Sequence, residues 1–409
     1  MNTERFPIYK YDHIFNKFNG TLKEQKLLYK EIEISYPCRL DAMAINPSAV
    51  CYNDDMVFTP GEVVISTQKF IKVSVKVIDE KNTIRCGKDT RRKVLVKHAY
   101  SLMKRVLNFE EGLEINVIDN DIPKHCGFGS SSSTIAAVSS AINEMYNHPI
   151  ENIDLIKYLA SNHGEEISDD NEDELKMVQC IGGGATNGLI EDGIIIIAGK
   201  ATPICSMKYD GKIIIGIPKN FEIKDANYMM EKEEENLWKF KETGDKYSNI
   251  IAYNILHKAL PAMKNNSIKE LADVVFDYRF NMGSIENCSF VHEDMIKEGK
   301  QLRELYEDGL CEFLALSSVG PAYFIIVNDD EKKEKCIKKF KEIGMEIMET
   351  SICNETYKID KTINIDKNFW ETESTEKLFR ERPCSKYITN EITIKIIFIL
   401  TFFNYFTSK

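Results

Sequence analysis

The chain of 409 residues has 11 Cys but no CxxC pair among them. Its 7 His, at 13, 98, 125, 148, 163, 257 and 292, form no HxxxH or HExxH arrangement. Paired ligand spacings are the sequence mark of zinc sites, so their absence removes the signal for structural or catalytic zinc, and no transition-metal site is expected. Scattered thiols of this kind read as reduced side chains of a cytosolic protein. Positive charge is the scarcer sign: Lys+Arg 53 against Asp+Glu 64 leaves a net charge of −11 and no long basic run. Such a surface repels a polyphosphate backbone, so no nucleic-acid partner is expected. The strongest apolar run, Ile396–Phe406, is about half of the ~20 residues needed to span a membrane. It reads as a buried terminal strand or a non-native extension, with a tail lying flat on a membrane as the remaining alternative. Met1–Phe18 lacks the basic start and apolar core of a secretory signal, which points to the cytoplasm. With 43% hydrophobic and 29% charged residues, the chain is neither disordered nor disulfide-stapled, and at roughly 100 to 200 residues per domain its length suggests two domains.

Hydrophobic periodicity switches repeatedly between two and 3.6 residues, which predicts a mixed, α+β protein. Ile71, Val73, Val75 and Val77 alternate with Lys72, Ser74 and Lys76 as a half-buried strand, and Ile32 and Ile34 suggest another. Val94 to Leu107 follows helical spacing with His98 on its apolar stripe, where a satisfied core histidine is favoured over a ligand. Leu113, Ile115 and Val117 alternate as a strand, and Ile194–Ala198 reads as another. Met207–Pro218 reads as strand, turn and strand about Asp210 and Gly211. Helical patterns follow near 249–263, 266–276 and 294–306, then a strand over 322–327, a helix over 332–343 and a strand over 345–351. That order has a split βαβ character, and without a low-complexity linker the two units should pack closely. Glu165–Glu174 (EEISDDNEDE) holds seven acids in ten residues and no EF-hand register, so a solvated loop or the exposed end of a helix is expected, although one acid could reach a metal held by phosphates.

The most informative stretch is Pro123–Ser133 (PKHCGFGSSSS), a loop running into a helix. Gly127 and Gly129 allow close backbone approach, and Ser130, Ser131, Ser132 and Ser133 bring hydroxyls and free amides to the helix start. Orphan N–H groups and the helix dipole at that end favour a phosphate. There is no GK[ST] ending and no third glycine, so neither a Walker A loop nor a dinucleotide fingerprint is present. The bland alternative is a serine-capped glycine turn. A second cluster, Gly182, Gly183, Gly184 and Gly188, precedes a strand and reads equally as a tight turn lining a site or a purely structural one.

PxxxGxGSSS resembles the phosphate-binding motif of the GHMP superfamily of galacto-, homoserine, mevalonate and phosphomevalonate kinases, with Phe128 in the usual Leu position. Leu316–Val327 (LSSVGPAYFIIV) is similar to the superfamily's C-terminal glycine-rich turn before a strand. The resemblance implies an N-terminal domain like domain 2 of ribosomal protein S5 followed by a ferredoxin-like C-terminal domain. It divides the chain into an extension (1–30), a phosphate-binding domain (31–205), a C-terminal domain (206–360) and a tail (361–409). Within the superfamily the chain looks most like the β-ribofuranosylaminobenzene 5'-phosphate synthase branch, a phosphoribosyl transferase of pterin biosynthesis. That similarity lies in the glycine cluster, in Ile214–Glu235 and in SSVGPAYF.

The branch's N-terminal motif departs here: RLDAMAINPSA from Arg39 puts Asn46 where the branch has its acid and Asp41 where it has a histidine. An amide cannot accept a proton as a carboxylate does, and Asp41, Asp54 and Asp55 are the acids available instead. Phosphoryl transfer depends mainly on positioning and charge stabilisation, so a GHMP-type ATP-dependent kinase of a small molecule becomes the leading reading. The phosphoribosyl transferase, with phosphoribosyl pyrophosphate as co-substrate, and a non-catalytic ligand-binding homologue are the alternatives. In the kinase reading the serine loop holds ATP phosphates with Lys124 beside it, Ser131 and Glu165 bind Mg²⁺, and Arg39, Asp41 and Asn46 carry the chemistry. Gly183, Gly184, Ser317, Ser318 and Gly320 are assigned to the substrate. A homodimer is left open.

Overall fold

A computed structural model of the protein describes residues 8–51, 60–168, 170–177 and 183–365. Asp54, Asp55, Gly182 and the apolar run 396–406 lie outside these residues. In chain order the first elements are β1 (Ile8–Lys10), β2 (Tyr29–Ala44), β3 (Glu62–Ile78), β4 (Ile84–Cys86), α1 (Lys93–Leu107), β5 (Gly112–Ile118), α2 (Ser130–Met145) and α3 (Asn152–Ala160). Next come β6 (Gly164–Glu166), β7 (Glu174–Met177), the helical turn α4 (Gly183–Thr186), β8 (Ile194–Ala198) and β9 (Thr202–Met207). The remainder is β10 (Lys212–Pro218), α5 (Ala226–Asn254), α6 (Leu260–Lys264), α7 (Lys269–Asn281), α8 (Ser284–Asn287), α9 (Met295–Glu307), β11 (Phe313–Leu316), β12 (Tyr323–Ile326), α10 (Asp330–Glu342), β13 (Met345–Ser351) and β14 (Lys358–Asn364).

Two long strands organise the first half. β2 and β3 pair antiparallel, β3 continues to β5, and β8 pairs with the start of β3 and with β9. Ile71, Val73 and Val75 are buried while Lys72 and Lys76 are exposed, as the alternation predicts. α2 packs on β2, β3 and α1, and all of its residues except Glu144 are buried. A helix covered on every side is held rigidly, which fixes the direction of its amino end. His98 is a core histidine with both ring nitrogens used, Nδ1 on the Tyr11 carbonyl at 2.6 Å and Nε2 on that of Asn162 at 2.6 Å.

The second sheet has the order β11-β12-β10-β13 with every pairing antiparallel. With helices between β10 and β11 and between β12 and β13, this is the βαββαβ order of a ferredoxin-like unit. Its core joins Ile214, Leu302, Tyr323, Ile325 and Phe340. From Ile8 to Asn364 the described residues form one compact unit.

Three features differ from the sequence expectations. α5 begins at Ala226, and with a π-helical stretch at Ile255–Ala259 and α6 it runs on to Lys264, far ahead of the helix expected near 249. Its buried residues, among them Met230, Leu237, Gly244 and Ile251, recur at about every second turn, so charge dominates the local pattern and hides the helix. β14 returns to the first sheet and pairs with β2, so the chain after 351 does not belong to the second sheet. The acidic segment forms the hairpin β6-β7, with Glu166 buried and Asp170 and Asp173 in solvent. No helix of the described residues is long and apolar enough to cross a membrane.

Candidate active site

A cleft of about 260 Å³ opens at the amino end of α2 and is lined by Gly127, Gly129, Ser130, Ser131 and Ser132. Gly129, the cap of α2, has φ +59, and a Cβ on it would come 2.7 Å from Arg39 Nε. Only glycine meets both conditions there without strain. Gly127 (φ +86) accepts at its carbonyl a hydrogen bond from Ser317 Oγ at 2.7 Å, which ties the loop to the turn after β11. Ser317 Oγ in turn accepts from the Asp41 N–H at 3.1 Å, and the Ser318 N–H donates to the Asp41 carbonyl at 2.9 Å. The two motifs singled out in the sequence therefore meet across β2.

The serines have distinct surroundings. Ser131 Oγ donates to Glu165 Oε1 at 2.5 Å, and Ser132 Oγ donates to the Gly129 carbonyl at 3.0 Å. Ser133 is buried below the loop, and its hydroxyl makes no hydrogen bond among the described residues. Arg92 Nη1 donates to Ser130 Oγ at 2.9 Å and to Ser131 Oγ at 3.0 Å, and its Nε pairs with Glu166 Oε1 at 3.0 Å. Lys124 stands 3.7 Å from the same Glu166 oxygen, behind the loop and not in the cleft wall. Burial pushes the Glu165 carboxyl up to about 7, with Glu166 acting in the same sense and Arg92 and Ser131 opposing it. Burial, His98 and Arg39 push the neighbouring His163 down to about 3, so its ring is neutral.

Opposite the serines stand Arg39, Asp41 and Glu62. Arg39 is 2% exposed, and its Nη1 lies 3.9 Å from Asp41 Oδ2. Burial raises the Asp41 carboxyl against the pull of Arg39 and Arg279. Glu62, at the head of β3, is raised to about 8 by burial and by Asp41, against Arg39 and the Gly183 backbone N–H. Arg279 supports this wall from α7: Nε donates to the Ala42 carbonyl at 2.6 Å, Nη1 to the Ser318 carbonyl at 3.0 Å and Nη2 to the Asp41 carbonyl at 3.1 Å. The far wall is apolar and comes partly from α5, through Met229 and Met230.

Of the residues predicted from sequence, the structure brings Arg39, Asp41, Gly127, Gly129, Ser130, Ser131, Ser132, Glu165, Ser318 and Gly320 into the cleft wall. Gly183 and Gly184 lie directly behind it, against Glu62 and Ser132. Asn46 is not brought in: its side chain is exposed and accepts from Ser48 Oγ at 2.9 Å. Glu62, Arg92, His163 and Arg279 were missed. An acid opening the buried run EVVIS and a positive-φ Arg before a helix, φ 54 at Arg92, are the only local traces of two of them.

Residues 94–172 match the family model for the GHMP kinases N terminal domain. Homoserine kinase from Cytophaga hutchinsonii is similar in structure, with a TM-score of 0.54 and 14% identity over 84% of this chain and 100% of that one. Mevalonate diphosphate decarboxylase from Staphylococcus aureus gives 0.58 and 15% over 81% and 98%. L. major mevalonate kinase, solved in complex with R-mevalonate, gives 0.52 and 12% over 82% and 100%. No curated protein matches the chain by sequence. The expected α+β architecture, a GHMP kinase fold with an N-terminal and a C-terminal part, is thereby shown.

Proposed function

We propose that the chain is an ATP-dependent kinase that phosphorylates a hydroxyl group of a small molecule. The observation that carries this reading is the junction of the α2 amino end with a buried cation: Arg39 Nε lies beside Gly129, and its Nε and Nη1 have no hydrogen-bond partner among the described residues. Free amides, a helix dipole and unused guanidinium donors in one cleft are what transferring phosphoryl groups need. Among the described residues no cluster of three or more His, Cys, Asp or Glu side chains could hold a metal alone. A magnesium ion that keeps waters and phosphate oxygens needs only one or two protein ligands, and the contact of Ser131 with the raised Glu165 carboxyl fits one. Ser131 and Glu165 would hold it, and it would supply neutralisation of phosphate charge during transfer.

The position of Asn46 bears on the alternatives. An amide outside the cleft neither supplies nor obstructs proton transfer, so the missing acid of the synthase motif leaves kinase chemistry intact. Thermal unfolding with Mg²⁺ plus ATP, and separately with Mg²⁺ plus phosphoribosyl pyrophosphate, on wild type and Ser131→Ala, tests the reading. Ligand at 100 times its dissociation constant adds about 2.7 kcal/mol to the native state. Stabilisation by ATP that weakens in Ser131→Ala is expected. A response to phosphoribosyl pyrophosphate alone would transfer the assignment to the phosphoribosyl transferase, and silence to both would leave a non-catalytic homologue.

A further inference from the structure

Buried polar atoms without partners gather around Arg39. Its Nε and Nη1, the Oδ1 of Asp41 and the Oε2 of Glu62 are all out of water and make no hydrogen bond among the described residues. Buried groups in that state are rare, and a ligand that completes them is the simplest account of several in one cleft.

Arg39 separates the two acids. Asp41 stands at the Nη1 end, 3.9 Å away, next to the Ser317 and Ser318 turn that holds its backbone. Glu62 stands at the other end. A Cβ placed on Gly183 would strike Glu62 Oε2 and come 3.0 Å from Arg39 Nε, and one placed on Gly129 would come 2.7 Å from that same Nε. The Glu62 carboxyl therefore lies towards the Nε end of Arg39, the end beside Gly129, while Asp41 stands at the Nη1 end under the influence of two guanidiniums, Arg39 and Arg279.

Building on the kinase reading, we propose that Glu62 is the catalytic base that takes the proton of the attacking hydroxyl. The acceptor O–H bond breaks as its proton passes to Glu62 Oε2, and the oxygen forms a bond to the terminal phosphorus of ATP. The bond from that phosphorus to the bridging oxygen breaks, and its electron pair leaves with ADP. Asp41 remains the counter-ion of Arg39. A base is most effective when its proton affinity lies near the working pH, and a carboxyl raised to about 8 meets that condition. Asp41 and Arg39, both on β2, are the charges acting on Glu62, while α2 faces the site with serine hydroxyls and α4 with backbone.

The test uses the full chain and MgATP, with water as the acceptor, on wild type, Glu62→Gln, Glu62→Asp and Asp41→Asn. Removing a positioned base lowers turnover by about 100-fold or more. Glu62→Gln should show that loss at saturating MgATP, while calorimetric affinity for the non-hydrolysable analogue AMP-PNP changes by less than about threefold. Glu62→Asp, which keeps the carboxylate, should recover part of the rate and gives the comparison if the amide variant fails to fold. Asp41→Asn should lose less than Glu62→Gln. The wild-type rate should rise with pH through about 8, and this limb should vanish in Glu62→Gln. Hydrolysis at the wild-type rate in Glu62→Gln, or a wild type that binds AMP-PNP and hydrolyses no ATP, overturns the assignment of Glu62. A wild type that binds no AMP-PNP overturns the kinase reading instead.

Discussion

Replacing Arg92 by Met is the most demanding check on how the serine loop is held. The Arg92 and Glu166 side chains are 1% and 3% exposed and pair at 3.0 Å. Removing one partner of a buried ion pair costs about 3 to 5 kcal/mol, because the other is left uncompensated. Lys124, 3.7 Å from Glu166 and 16% exposed, offsets part of this and favours the lower end of the range. Ser130 and Ser131 also lose a charged donor, and hydrogen bonds of that kind contribute about 1.5 to 3 kcal/mol each when intact. Arg and Met meet the same left-handed backbone penalty at φ +54, so the difference reports the side chain. Urea unfolding followed by far-ultraviolet circular dichroism should show a loss of at least about 3 kcal/mol for Arg92→Met. Glu166→Gln in the same background should return about 2 kcal/mol or more, since the uncompensated charge is then gone. A single variant within about 1 kcal/mol of wild type, or a double variant no better than the single, would refute the view that this pair supports the loop.

Two further outcomes follow from the site. Glu165 is raised from 4.5 to about 7, so the native state binds its proton more tightly than the unfolded chain. The stabilisation from the protonated form is complete below pH about 4.5 and is lost as pH rises through about 7. Relative to wild type, Glu165→Gln should gain stability over that window. The comparison must be between variants, because His163, lowered to about 3, gives the opposite slope below its unfolded value of 6.5. A stability difference that stays flat between pH 4.5 and 7 would refute the Glu165 assignment. Asn46→Ala should leave stability within about 0.5 kcal/mol of wild type and nucleotide affinity unchanged, as expected for an exposed side chain bonded to Ser48. A larger loss of affinity would return Asn46 to the site.

Much of the cleft was legible because its chemistry is local. A phosphate cradle needs glycines and hydroxyls at fixed spacing before a helix, and Gly127 to Ser133 supply all of them within seven residues. Strand β3 and the core histidine His98 were legible for the same reason, since period two and a helical stripe are properties of neighbouring residues. α5 was not, because its few buried positions are diluted by charge, and neither was β14, whose residues are all exposed and show no alternation.

By itself the sequence determined the α+β class, the two motif segments and the acid-poor N-terminal motif. Tertiary structure decided which charged groups line the cleft or brace its serine loop. Glu62, Arg92 and Arg279 come from a strand head, a helix cap and a distant helix, and each is at the site only because β3 pairs with β2, α1 packs on α2, and α7 reaches the backbone of β2. Burial is likewise a property of the assembled fold: it turns Glu62 and Glu165 from ordinary surface-type acids into groups that titrate near neutrality, and it leaves Asn46 in water. Desolvation depends on everything that packs around a carboxylate, and no local window of sequence contains that information.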